Sequence, residues 1–266
     1  MKRWVGFSLL LSVLLGAARW ADLLLWTDSA TGLCTVGSVW WRYGGLALAS
    51  AFALLAGRKA GGSAEPLLCR RPAAGVPALM AGVLFGLTGA QRLLLSVASP
   101  GVGTLLRTVL ELLCGGWLLC LGWFWLAGEK SRPTRKIGWA IAGSILFYWT
   151  VLERFMLNSS SWHRVGPTAA VWQQLTALLF LAALVRALYL PGQPKLGAVC
   201  GSGLLAFCLC LCWGLPQAAV RWAAGELSGP ALWFELGLCA VGALGAVCAI
   251  VCIKNTPKAE NARQDG

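Results

Sequence analysis

Residues 77–98, PALMAGVLFGLTGAQRLLLSVA, and residues 104–127, TLLRTVLELLCGGWLLCLGWFWLA, lie on either side of the turn signal Ser99-Pro100-Gly101. Each run is long enough to cross the hydrocarbon core of a bilayer, which takes roughly 20 mostly apolar residues in a helix. The first run carries one charge, Arg92. The second carries Arg107 and Glu111, four residues apart and so on one helix face. A helix satisfies its own backbone hydrogen bonds, which lipid cannot do for it, so two such runs joined by a tight turn read as a membrane-spanning hairpin.

Six further runs of the same character lie on either side, near 4–25, 38–56, 137–157, 168–190, 196–215 and 231–253. Arg58-Lys59-Ala60-Gly61-Gly62-Ser63 leading to Arg70-Arg71-Pro72, the polar run 129–136 and Pro191-Gly192-Gln193-Pro194 separate some of them. The composition agrees, with 58% hydrophobic and 12% charged residues and a mean hydropathy of +0.71. A soluble domain carries roughly 25% charged residues. The expected fold is therefore all-α, a polytopic transmembrane helical bundle of about eight spans. Residues 1–253 form a single transmembrane domain, and 254–266 a disordered cytoplasmic tail.

The net charge of +12 would suggest nucleic-acid binding in a soluble protein. Here the basic residues fall in alternate connections. Lys2, Arg3, Arg58, Lys59, Arg70, Arg71, Lys130, Arg132, Arg135, Lys136, Lys195, Lys254, Lys258 and Arg263 form one set, and only Arg42, Arg164 and Arg221 form the other. By the positive-inside rule the first set is cytoplasmic, which puts both termini there, in a plasma or inner membrane, and excludes nucleic acid as a partner. Trp20, Trp26, Trp40, Trp41, Trp162, Trp172, Trp213, Trp222 and Trp233 fall near the expected outer helix ends, as an interfacial aromatic belt should. The alternative for the first run is a cleaved signal peptide ending near Gly16-Ala17-Ala18, which would leave seven spans in the same orientation.

Nine of the eleven cysteines sit inside apolar runs, where cysteine behaves as a small hydrophobe. In Cys208-Leu-Cys210-Leu-Cys212, an α-helix would put 208 and 212 on one face and turn 210 away. The chain has one histidine, His163, so no metal site and no cofactor is expected. Cys200-Gly201-Ser202-Gly203 only loosely resembles a serine-nucleophile turn. Gly197-x-x-x-Gly201 and Gly82-x-x-x-Gly86 read better as points of close helix approach. Asn158-Ser159-Ser160 fits a glycosylation acceptor.

Four helix ends resemble one another: Arg19-Trp20, Arg92-Leu93, Arg154-Phe155 and Arg221-Trp222 each place an arginine before a large apolar residue. Glu111, Gln174 and Glu235 recur on returning helices. The chain reads as four diverged hairpins, although anchoring at the interface would also favour arginine there. Charges inside a membrane are costly and usually face a bundle interior or a cavity. Arg19 and Asp22 are three apart, and Arg107 and Glu111 four apart, so each pair can meet. With Arg92, Glu153, Arg154, Gln174 and Glu235 they make one polar layer near the outer face.

Three readings of this layer follow. It lines an outward-facing cavity that binds or translocates a small anionic or amphipathic ligand, such as a carboxylate, phosphate or lipid headgroup, since Arg19, Arg92, Arg107 and Arg154 outnumber Asp22, Glu111 and Glu153. Or it only anchors and registers helices in a structural or assembly protein. Or it is an intramembrane enzyme, a role for which the sequence supplies no metal triad or serine–histidine pair. The first is preferred. Lipid is the one partner the composition requires; protein partners are not legible.

Overall fold

A computed structural model of the chain describes residues 2–28, 33–60, 67–96, 101–128, 137–157, 165–190 and 196–254. His163, Trp162, Arg164, the Asn158-Ser159-Ser160 acceptor, the 129–136 loop, Lys195 and the tail from 255 lie outside the described residues. The elements are α1 (Lys2–Leu25), α2 (Val39–Arg58), α3 (Pro72–Ser96), α4 (Val102–Ala127), α5 (Ile137–Leu157), α6 (Val165–Tyr189), α7 (Leu196–Ala206), α8 (Gly214–Ala223) and α9 (Gly229–Lys254), with a π-helical segment, Phe207–Trp213, between α7 and α8. Among the described residues the only extended pairing is an isolated antiparallel bridge, Thr27–Cys34.

The ends follow local chemistry. Pro72 opens α3, where its missing N–H would have had no partner anyway. Ser38 caps α2, its Oγ accepting from Trp40 N at 3.3 Å. Gly128 ends α4 in the left-handed region (φ 68°), its N–H donating to Phe124 O at 3.0 Å. Arg70 Nε donates to Leu126 O at 2.9 Å, a cation on the negative end of the α4 dipole.

Seven helices among the described residues are long and apolar enough to cross a membrane, with α7, the π-helical segment and α8 counting as one rod, Leu196–Ala223. The protein is an all-α multipass bundle. The eighth expected span, α5, has 21 residues, about 31 Å at 1.5 Å per residue. It is long enough to cross, but Ser144, Tyr148, Thr150, Glu153 and Arg154 dilute its apolarity.

Two boundaries and one face differ from expectation. Helix α3 starts at Pro72 and carries Pro77 inside it. The rod continues to Ala223 rather than stopping near 215, passing through Pro216. Because Phe207–Trp213 is π-helical, the α-helical face assignment of its cysteines fails. Cys208 and Cys210 are both fully buried, while Cys212 is half-buried. Cys210 Sγ donates to Gln173 O on α6 at 3.2 Å.

The rod and α9 form the centre, and α1 and α2 the edge. About 72% of the apolar window is buried in the rod and in α9, against 28% in α1 and 22% in α2. The rod packs on α2, α6 and α9, while α3 packs on α4 and α9. Without a hydrophobic force between helices in lipid, close approach and packing hold such a bundle. A Cβ on Gly57 would lie 2.5 Å from Gly201 Cα, which bears out the Gly197-x-x-x-Gly201 contact.

The pair Gly82 and Gly86 divides in a way the motif does not reveal. A Cβ on Gly82 would meet Leu119 N at 2.8 Å and Gly115 O at 2.9 Å, whereas one on Gly86 meets nothing within 4 Å. Gly82→Ala should therefore lose about 1–3 kcal/mol, while Gly86→Ala should be neutral or gain up to ~1 kcal/mol. Thermal unfolding of each variant in detergent, followed by circular dichroism, checks the contrast, and equal shifts would contradict it.

Candidate functional site

Apart from Lys2, Arg3, Arg58, Arg186 and Lys254 at the opposite helix ends and Arg221, which pairs with Glu226, the charged residues within the helices gather at the end of the bundle where α1, α3 and α5 finish and α2, α4, α6 and α9 begin. There they form two groups.

The larger group joins five helices. Glu111 on α4 is fully buried between Arg92 Nε on α3 and Arg107 Nε, each donating to it at 3.1 Å. Arg107 Nη1 also donates to Glu153 Oε2 on α5 at 2.5 Å. Next along α5, Arg154 pairs with Glu235 on α9 at 3.7 Å. With its amide oriented so that both ends are satisfied, Gln174 donates to Thr150 O at 3.2 Å and accepts from Arg154 Nε at 2.8 Å. Beneath this network lies an aromatic floor. The Arg107 guanidinium sits 5.2 Å over the Phe234 ring, and Phe234 and Phe147 each meet Phe85 edge-on at 5.6 Å. Three guanidinium groups face three carboxylates, so the group is neutral.

The smaller group is at the edge of the bundle. Asp22, near the end of α1, accepts from Arg19 one turn earlier and from Arg42 in the first turn of α2. Arg42 holds it with both faces of its fork; its Nε lies 2.9 and 3.0 Å from the two carboxylate oxygens. Arg42 Nη2 also donates to Val36 O at 3.3 Å, tying the α1–α2 connection down. That connection folds back through Thr35 N donating to Trp26 O at 2.9 Å and turns at Gly37, whose φ of 81° suits glycine. The Arg19 guanidinium stacks 4.6 Å over Trp213, at the end of the π-helical segment. Its side chain is 3% exposed, and its Nε has no hydrogen-bond partner.

A cavity of about 270 Å³ opens beside this group. Arg19, Asp22, Arg42 and Ser38 supply its polar lining, with Leu15, Ala18, Trp26, Val36, Gly37, Trp41 and Trp213 around them. Two guanidinium groups against one carboxylate leave a surplus positive charge. Oxyanions are what such a surface holds, since guanidinium N–H groups match carboxylate and phosphate oxygens in pairs.

Of the nine residues expected to make up a polar layer, all meet a charged or polar partner. Only Arg19 and Asp22 line this cavity; Arg92, Arg107, Glu111, Glu153, Arg154, Gln174 and Glu235 belong to the neutral network instead. Arg42 was counted with the connections but sits inside α2 and completes the Asp22 clamp. Its place four residues after the Ser38 cap is the signal that could have revealed it. Trp213, expected in the interfacial belt, is 2% exposed and underlies Arg19. The four arginines of the expected repeat also differ in surroundings: Arg92 and Arg154 join the network, Arg19 lines the cavity, and Arg221 pairs with Glu226 at an exposed turn at 3.2 Å. Ser202, from the nucleophile-like turn, donates to Ala198 O of its own helix at 2.6 Å. No family model, no curated protein and no solved structure matches this chain.

Proposed function

We propose that this multipass membrane protein binds a small anionic or amphipathic ligand in the cavity beside Arg19, Asp22 and Arg42. The observation that carries this reading is the surplus positive charge on a buried lining, with one Arg19 N–H group left without a partner. A cation desolvated to this degree is costly unless something compensates it, and a bound anion would do so. The distribution of lysine and arginine supports an orientation with both termini cytoplasmic and the cavity on the outer face of a plasma or inner membrane.

The neutral network favours a second role for the other half of the layer. Each of its carboxylates is matched by an arginine from another helix, as suits a device that registers α3, α4, α5, α6 and α9 rather than one that awaits a ligand. On this reading binding is confined to the α1–α2 edge.

Thermal stability in a neutral detergent tests the proposal. Decanoate should stabilise the protein, by about 2.7 kcal/mol at a hundredfold excess over the dissociation constant. Arg42→Gln, which removes the surplus charge, should abolish the shift. A shift of equal size in Arg42→Gln, or none in the native chain, would overturn the reading.

A further inference from the structure

Resting on that binding site, we infer that its ligand is the singly charged phosphodiester headgroup of a bilayer lipid, entering sideways from the membrane. Three independent observations point there.

The first is charge. The lining carries one unneutralised positive charge, so a monoanion leaves the occupied site neutral, whereas a phosphomonoester in its dianionic form would leave a net negative charge in a medium of low dielectric. The second is position. The cavity lies against α1 and α2, whose apolar windows are the least buried of the seven spans. Its rim residues Trp26 and Trp41 are 45% and 84% exposed. Tryptophan with its ring in the hydrocarbon boundary and its N–H toward the headgroups is the usual occupant of that depth. An opening between such residues at the bundle edge communicates with lipid. The third is size. About 270 Å³ lies just below the range of pockets that enclose a whole drug-sized molecule. It suits a polar headgroup whose chains stay outside, and it exceeds what a bare carboxylate fills. Asp22 moreover already occupies the carboxylate-matching fork of Arg42.

The test uses the full chain in nanodiscs of phosphatidylcholine containing a minor share of phosphatidylglycerol or of phosphatidic acid. Lipids retained on release are identified by native mass spectrometry. The native protein should keep one phosphatidylglycerol, enriched at least about tenfold over phosphatidylcholine, whose choline cation offsets its phosphodiester and leaves the surplus charge of the site uncancelled. Arg42→Gln should reduce that enrichment to background, and Trp41→Ala should weaken it while leaving the charges in place. Equal retention of phosphatidylglycerol and phosphatidylcholine by the native chain overturns the inference, whether or not either variant folds. So does a preference for phosphatidic acid.

A parallel arm separates this failure from that of the site itself. Glycerophosphoglycerol, the same headgroup without chains, is added to detergent-solubilised protein. Stabilisation by it or by decanoate, without lipid retention, removes the lipid and leaves the anion site. No response to any of these probes removes both.

Discussion

Glu111→Gln should lower stability by about 3–5 kcal/mol, the usual result of removing one partner from a buried ion pair. For a chain of this length that corresponds to a fall in melting temperature on the order of 10 °C. Glu111 is fully buried and is the acid that both Arg92 and Arg107 address at 3.1 Å. Arg107 would retain Glu153. Arg92 would be left facing an amide, its cation only 22% exposed. The loss is that of an orphaned charge, so removing the charge as well should recover part of it, and Glu111→Gln with Arg92→Gln should be more stable than Glu111→Gln alone. Thermal unfolding of the two single variants and the double measures the coupling. Strictly additive losses would show that the two residues do not act as a pair.

Asp22→Asn should be comparably severe, for a different reason. It leaves two guanidinium groups, 3% and 10% exposed at their side chains, gathered around a neutral amide. Like charges at such a distance in a poorly hydrated setting repel, and no acid from the larger network reaches them. Reduced yield and a loss of about 3–5 kcal/mol are expected, with partial recovery in Asp22→Asn combined with Arg19→Gln. If the surplus charge recruits an anion, the single variant should also respond more strongly than the native chain to added decanoate, since it then carries two uncompensated charges. Unfolding with and without that amphiphile, on equal protein, checks both. A variant as stable as the native chain would show that the Asp22 clamp does not hold α1 to α2.

The spans were legible because length and apolarity are properties of a segment by itself. Residues 137–157 were read with the bounds the helix has, and the pairs Arg19–Asp22 and Arg107–Glu111 followed from helical spacing alone. What escaped depends on neighbours. Glu235 meets Arg154 because α5 and α9 both pack on α6 and the arginine side chain reaches across, and spacing along either helix says nothing of that. Arg42 was assigned to a connection because the apolar run begins just before it, yet its partner is on the preceding helix. The balance of charge depends on the same neighbours. Adding Glu235 neutralises one group and adding Arg42 makes the other positive, so the surplus moved from the whole layer to one corner. The rod past residue 215 was hidden by Gly214 and Pro216, which ordinarily end a helix. Proline at 216 withholds the usual i+4 donor from the Cys212 carbonyl, and Gly16 of α1 packs there, since a Cβ on it would lie 2.6 Å from the Cys212 oxygen.

The widened turn at Phe207–Trp213 has a consequence for how this chain can vary. One added residue in a helix shifts everything beyond it by about 100° around the axis. The segment therefore lets a single rod present Gly203 to α9 on one side of it and Trp213 to Arg19 on the other. What fixes the floor of the cavity is thus a residue count rather than a residue type. Side chains along 207–213 can drift so long as they stay apolar, but a loss or gain of one residue there would dismantle the site while leaving each of its members intact.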